Sequence, residues 1–441
     1  MLNRFFNAQV SIMPLVTFRV VFGLMMLVST GRFLALGWVK DHYLDAKVSF
    51  KYYGFEWVQV LPEFWMYGLH YLMLAAAVGI TLGAFYRLSA VVFFLAFTYV
   101  QLLDLSYYLN HYYFVSLVAF LLIFIPAHAS HSVDAWRKPT LYSSQVLAWC
   151  VNIIKFQIVV VYVYAGLAKI NHDWLLLALP LKIWLPAADK IPVLGPIFKL
   201  SITPYLFSWF GMLYDTFIVF FLMYKPTRIW AYMAVLVFHV VVGILFQIGV
   251  FPLVMIGATL IFFSDEWHAS LWRWVGSDEL RRGRPCGKNY EYVVANKKHI
   301  IYLTSYIVFQ LLFPLRYLLY DGNVFWTEEG YRFSWRVMLM EKAATATFYV
   351  KDSETGREGV VNNADFLCAH QEKQMAMQPD LILQYAHYLQ DYYQKQGMKT
   401  PKVRAEIYAT LNARPSQLLI DPQIDLTKIK DGWGQKKWVL E

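Results

Sequence analysis

Lys169 closes the apolar run Tyr162-Val163-Tyr164-Ala165-Gly166-Leu167-Ala168-Lys169. An amine in that place has two readings. An isolated lysine at the end of a membrane span reaches out to the interface along its own stem. A lysine beside Ala165, Gly166 and Ala168 instead has a small-residue turn that lets a second helix come close, so it is held inside protein. Low dielectric disfavours the charged form of a buried amine, and the chemistry on offer is then that of a base. Asn110 and His111 open another apolar run. Alone, such a pair is most simply a helix cap; a second polar signal at the membrane depth of Lys169 gives it more weight. Asp215 and His239 fall inside later runs, where an ionisable group needs a partner. They either satisfy each other or Lys169 as buried polar groups, or they belong to a site. Asp104 ends a further run, and Lys155, at the opposite end of its run from Lys169, reads as a snorkelling residue.

The elements that must position these groups are membrane helices. Of 441 residues, 58% are hydrophobic, 18% aromatic and 16% charged, where a soluble domain carries about a quarter charged residues. Apolar runs near 12–37, 67–84, 88–104, 108–126, 152–170, 205–224, 229–247, 250–264 and 299–319 suggest about nine spans. The run at Ile12–Leu36 is too long for a cleaved signal and reads as a retained helix. The net charge of +9 comes from Lys and Arg in the connecting loops, which points to topology and lipid headgroups rather than nucleic acid. With the N-terminus inside, inner loops carry twelve Lys and Arg and outer loops six, so an odd span count leaves the C-terminal region outside. The three cysteines, Cys150, Cys286 and Cys368, fit no metal-ligand spacing, and no metal is expected.

After about residue 320 the pattern changes. Tyr331, Phe333, Trp335, Val337 and Leu339 alternate with Arg332, Ser334, Arg336 and Met338, a period of two that argues a half-buried strand. A second strand is expected at 344–351, a turn at 352–356, a helix at 380–396 and a further strand at 403–411. The fold class is therefore mainly α: a polytopic helical membrane domain over 1–319, then a small extracytoplasmic α+β domain over 320–441. The turn Phe246-Gln247-Ile248-Gly249-Val250-Phe251-Pro252 either links two helices or walls an apolar pocket.

Tyr162 to Trp174, YVYAGLAKINHDW, resembles the signature of the vitamin K-dependent γ-glutamyl carboxylases. Leu109 to Leu117 (LNHYYFVSL) is similar to that family's Asn-His segment. Phe238-His239, Leu245 to Phe251 and Phe263 to Trp267 resemble further segments, and WTEEGYRFSW at 326–335 looks like its Gly-Tyr-x-Tyr/Phe-Ser-Trp stretch. Asp421 to Asp425 also fits. The motifs occur in the family's order and cover about residues 12 to 425.

The resemblance implies an enzyme that oxidises vitamin K hydroquinone with O2 to the epoxide and uses that energy, with CO2, to convert Glu to γ-carboxyglutamate in a protein substrate. A base strong enough to take the γ-proton survives only where water is excluded. Carried over by position, Lys169 matches the hydroquinone base, and His111 with Asn110 the pair that positions the quinone or stabilises charge. Tyr331 matches an aromatic residue of the glutamate and quinone site, with Trp335 in the same motif; His239, Asp215, Tyr162 and Gln247 fall in segments around the quinone pocket. Where the family commonly has a His in a Pro-x-x-His setting, this chain has Tyr317 in Phe313-Pro314-Leu315-Arg316-Tyr317. Arg316 is a candidate anchor for the substrate carboxylate. The partners implied are membrane lipid, quinone and a glutamate-containing peptide, not nucleic acid. The location implied is a bacterial inner membrane with the C-terminal domain in the periplasm or outside. The alternatives are a non-carboxylating quinone- or lipid-modifying oxidoreductase of the same fold, and a transporter. The transporter reading lacks an inverted repeat.

Overall fold

The computed structural model describes residues 6–191, 195–246, 248–274 and 297–440. Gln247, Cys286 and the basic stretch at 281–288 lie outside the described residues. Helices form at each apolar run: α1 Met13–Ala35, α2 Glu63–Leu82, α3 Tyr86–Leu102, α4 Asn110–Phe124, α5 Ala148–Ala168, α6 Thr203–Met223, α7 Arg228–Leu245, α8 Phe251–Thr259 and α9 Lys297–Leu312. Crossing a bilayer core of about 30 Å takes about 20 residues of helix. Six apolar helices among the described residues have the length and composition for it, at α1, α2, α5, α6, α7 and His299–Leu319. The other three runs, Tyr86–Leu102, Asn110–Phe124 and Phe251–Phe262, are apolar but shorter. One cause is visible before α4, where Leu105–Tyr107 forms a short 3-10 turn and Leu109 is extended, so the chain enters the helix late.

Sequence chemistry decides how the helices pack. Gly166 in α5 faces α6 so closely that an added Cβ would lie 2.3 Å from Thr216 Oγ1 and 2.6 Å from Thr216 N. The small-residue turn thus does admit a neighbouring helix. At the end of the bundle where α5 begins, Arg19 of α1 is buried and donates to the carbonyls of Ala127 at 2.8 Å, Ser130 at 3.3 Å and His131 at 2.5 Å. It holds the loop after α4 under α1.

The C-terminal part is a four-stranded antiparallel sheet in the order β4-β3-β5-β6, with β3 Lys342–Asp352, β4 Glu358–Val360, β5 Pro401–Leu411 and β6 Gln417–Leu418. A two-stranded pair, β1 Gln9–Ser11 with β2 Gln145–Leu147, lies at the far end of the helical part. β3 pairs with β5 along its length, from Lys342 opposite Leu411 to Asp352 opposite Pro401. Burial alternates along β5 as a one-sided sheet requires. Helices α10 Ala369–Met377 and α11 Pro379–Lys395 follow in the chain. Leu381, Tyr385 and Leu389 of α11 share a core with Phe348, Val350, Val403 and Ile407. The expected strands at 344–351 and 403–411 and the expected helix at 380–396 therefore form.

The strand expected at 331–339 does not. Gly330, Phe333, Trp335 and Met338 have φ of 74°, 58°, 59° and 51°. Three of these are non-glycine residues in the left-handed region, which costs roughly 1–2 kcal/mol each. A chain that reverses at such points cannot alternate its side chains across a pleat. The aromatic residues serve the membrane helix instead. Trp335 stacks on Tyr113 of α4 at 5.0 Å between ring centres, and Phe333 lies 4.8 Å from Tyr108 and 4.9 Å from Tyr113.

Candidate functional site

Lys169 sits at the end of α5, 6% exposed, with Nζ 2.7 Å from Asp215 Oδ2 of α6 and 3.1 Å from the Ala165 carbonyl. Asp215 is equally buried. The close approach at Gly166 is what brings Asp215 within reach. Nζ also lies 5.4 Å from the ring centre of Trp174, whose indole N–H donates to the Ser208 carbonyl at 2.9 Å. Lys169 is thus inside protein and paired, and the snorkelling reading is excluded for it. One turn further on, Asp173 receives both Nη atoms of Arg414, at 2.6 and 2.7 Å, and Asn412 Nδ2 at 2.7 Å. The lysine end of α5 therefore faces the C-terminal domain.

The end of α4 that bears His111 faces it too. Asn110 Nδ2 donates to the carbonyl of Arg336 at 3.1 Å, and its Oδ1 accepts from the Tyr108 hydroxyl at 3.0 Å. That hydroxyl accepts from the Phe333 N–H at 2.8 Å. His111 opens onto a cavity of about 1290 Å³ between the helices and the C-terminal domain. The helices line it with Phe33, Met73, Phe97, Val100 and Phe251 beside the polar His70, Gln101 and Asp104. The C-terminal part lines it with Glu328, Tyr331, Arg332, Arg336 and Lys342 beside the apolar run Val337 to Met340. Ile248, Gly249, Val250 and Phe251 line it, so the turn after α7 does wall a pocket.

A chain of ring contacts runs from this cavity to the lysine cluster. Phe251 lies 5.7 Å from His111 on one side and 5.7 Å from His239 on the other. His239 Nε2 is 2.8 Å from the Tyr162 hydroxyl, and the Tyr162 ring is 6.1 Å from that of Tyr214, next to Asp215 in α6. His239 Nδ1 is buried without a hydrogen-bond partner. His239 and Asp215 do not satisfy each other: Asp215 pairs with Lys169 and His239 with Tyr162.

The structure therefore brings Asn110, His111 and Tyr331 to one cavity and Lys169, Asp215, Tyr162 and His239 to the cluster behind it. Arg316, Tyr317 and Trp335 stand outside the cavity lining. Arg316 gives its donors to the carbonyls of Phe313 and Arg332 and lies over the Phe313 ring at 4.3 Å. Trp335 is buried against α4. Tyr317 holds the Arg336 guanidinium over its ring at 4.1 Å. Burial, with the charge of Glu328, pushes the Tyr331 phenol up, so it remains a proton donor. Reading the sequence missed Arg336, because a period of two places Arg332 and Arg336 on the solvent face of a strand. It also missed a column of parallel rings at the cavity edge, His42 on Tyr107 at 4.2 Å and Tyr107 on His370 at 4.6 Å.

Residues 7–267 match the family model described as HTTM domain, and residues 295–441 match that described as vitamin K-dependent gamma-carboxylase, lumenal domain. The chain belongs to the vitamin K-dependent gamma-carboxylase family. The two matches adjoin across most of its length, one on the helical part and one on the part that carries the sheet. A membrane location follows from the family and from the six long apolar helices. No solved structure gives a significant match to the chain.

Proposed function

We propose that the protein couples oxidation of vitamin K hydroquinone by O2, yielding the epoxide, to γ-carboxylation of glutamate in a protein substrate with CO2. The observation that carries this reading is the buried Lys169–Asp215 pair behind a cavity whose lining combines aromatic rings with the unpaired guanidinium of Arg336. Family membership supports vitamin K involvement and a carboxylase-like function. The aromatic lining suits a flat, lipid-soluble diol. The guanidinium of Arg336 suits an acidic peptide.

The oxidised hydroquinone supplies the strong base that no side chain can be. The chain's own groups do the rest. Asp215, 2.7 Å from Nζ, is placed to hold the proton that Lys169 must give up before its amine can accept one from a hydroquinone hydroxyl. Tyr162 and His239, hydrogen-bonded to each other beside the pair, are placed to orient that hydroxyl. His111, packed between Tyr112 and Phe251, is placed to donate to a developing oxyanion. The buried rings around it exclude water. In this reading the membrane domain ends near residue 319, and residues 320–441 are the extracytoplasmic domain of a bacterial inner-membrane protein that takes its peptide from the outer side.

The experiment is to co-express the protein with glutamate-rich peptides, supply reduced vitamin K, and measure epoxide by chromatography and carboxylated Glu by mass spectrometry. Both products should appear, and both should vanish in Lys169→Ala. Epoxide without carboxylated Glu would move the protein to the non-carboxylating oxidoreductases. Neither product from the wild type would end the reading.

A further inference from the structure

Arg336 is the buried cation of the cavity that has no anion. Its residue is 6% exposed and its Nε is buried without a hydrogen-bond partner. Among the described residues it makes no ion pair. The other cations beside it are paired, Arg332 with Asp380 and Lys342 with Glu328 at 3.0 Å. What Arg336 has is aromatic: the ring of Tyr317 at 4.1 Å and that of Phe325 at 5.5 Å from Cζ. A ring face attracts a guanidinium but is no counter-ion, and the Nε donor stays unfilled. A buried charge without a counter-ion is costly, and this one lies on the wall of a cavity. Burial lowers its proton affinity, offset only in part by the hydroxyls of Tyr317 and Tyr331, the direction expected of a cation that has lost water and gained no carboxylate.

Its position is fixed as well. Asn110 donates to its carbonyl at 3.1 Å, Trp335 before it is buried against Tyr113, and Trp335 itself has φ of 59°. The backbone is thereby held at the first turn of α4, one residue from His111.

We propose that Arg336 is the counter-ion of the substrate carboxylate: it binds the side-chain carboxylate of a glutamate in an acidic peptide and so sets that glutamate beside His111. This rests on the proposed function and names the residue that selects its substrate. A guanidinium fork matches a carboxylate with two parallel hydrogen bonds. Glutamine, isosteric but neutral, offers one acceptor and no charge. Neutralising the γ-carboxylate also eases removal of a proton from the adjacent carbon, because the second negative charge forms next to a cation.

The test uses the full-length protein in detergent or nanodiscs and two fluorescent peptides that differ only in Glu or Gln at one position. Binding is measured by anisotropy, without hydroquinone. The wild type should bind the Glu peptide at least about tenfold more tightly. Arg336→Gln should bind both equally, and Arg336→Lys, which keeps the charge and loses the fork, should fall between. Arg404→Gln removes an arginine that pairs with Glu358 on the sheet, and should keep the full preference. If Arg336→Gln does not elute as a folded protein, Arg336→Lys carries the test. An unchanged preference in the folded variants, or no preference in the wild type, overturns the proposal. A preference lost in Arg336→Gln, from a wild type that forms neither epoxide nor carboxylated Glu, would uphold the carboxylate site and end the carboxylase reading. Carboxylated Glu formed by Arg336→Gln with an unchanged KM for peptide would do the reverse.

Discussion

The amide of Asn110 spans two parts of the chain: it donates to the carbonyl of Arg336 and accepts from the hydroxyl of Tyr108. Helix α4 is thus fastened at its first turn to the segment that carries Arg336 into the cavity lining. An amide does both, whereas a carboxylate accepts and does not donate. Asn110→Asp should leave the Arg336 carbonyl without its donor and cost about 1–3 kcal/mol. A melting curve of the purified protein should shift down accordingly. Under the proposed function the carboxylated product should fall more than the epoxide, because the displaced part carries Arg336.

The Lys169–Asp215 pair makes a second prediction. Removing one member of a buried pair strands the other charge, at a cost of about 3–5 kcal/mol, whereas replacing both with apolar residues is often neutral. Asp215→Ala should therefore destabilise the protein more than the double variant Lys169→Met with Asp215→Leu. Both should be inactive in epoxidation. Thermal unfolding of the three proteins checks the order, and an epoxide signal from either variant would remove the pair from the chemistry.

How much of this was legible follows from the range of each interaction. Lys169, Gly166 and the expected neighbouring helix could be read because small residues four and three positions before a lysine report a packed face locally. The pairing of Lys169 with Asp215, 46 positions away, could not, since sequence offered His239 as an equal partner. The strands at 342–352 and 401–411 showed their period. The stretch 331–339 showed the same period for another reason: its aromatic residues are spaced to reach Tyr108 and Tyr113 from a chain bent at Phe333, Trp335 and Met338. A period of two records which residues seek cover and not what covers them. The sequence put Arg316 forward as the anchor and Arg336 on the outer face of a strand; only the fold shows that carbonyls occupy the first.

His42 predicts acid sensitivity. Its ring lies between Trp38 and Tyr107, with His370 beyond Tyr107 and Asp41 alongside. Burial, then the nearby His370, pulls it down from 6.5 to about 4. A folded-state value below the unfolded one means that the stabilising contribution is complete above pH 6.5 and is lost as pH falls toward 4. The melting temperature should drop over that window. In His42→Phe, which keeps a stacking ring and cannot take a proton, the drop should be smaller, with little difference from wild type at pH 8.

Topology can be read with the cysteines. Cys368 is exposed, 3.7 Å from the Tyr107 hydroxyl at the cavity edge, and Cys150 is buried at the opposite end of the helices. A membrane-impermeant maleimide added to intact cells should mark Cys368 and leave Cys150 unmarked, and Cys368→Ser should abolish the signal. Labelling that needs broken cells would put the C-terminal domain on the cytoplasmic side.

Tyr317 is where this chain departs from the Pro-x-x-His setting, and the structure gives its ring a task. It lies under the Arg336 guanidinium at 4.1 Å, and Gly330, with φ of 74°, packs so tightly on its backbone that a Cβ there would lie 2.6 Å from Tyr317 Cα. Such a contact is worth about 0.5–2 kcal/mol, or roughly two- to thirtyfold in binding. Tyr317→Leu should raise the KM for a glutamate peptide within that range and leave epoxidation at saturating hydroquinone near the wild-type rate. Tyr317→Phe, which keeps the ring face and loses the hydroxyl, should fall closer to wild type. Tyr317→His adds a group that titrates near pH 6.5; below that pH an imidazolium beside Arg336 would repel it, so the KM should rise steeply with acid in this variant alone. An aromatic residue that only anchors the helix end in the interface would show another pattern. All three variants would then change expression or melting temperature together, with no movement in KM.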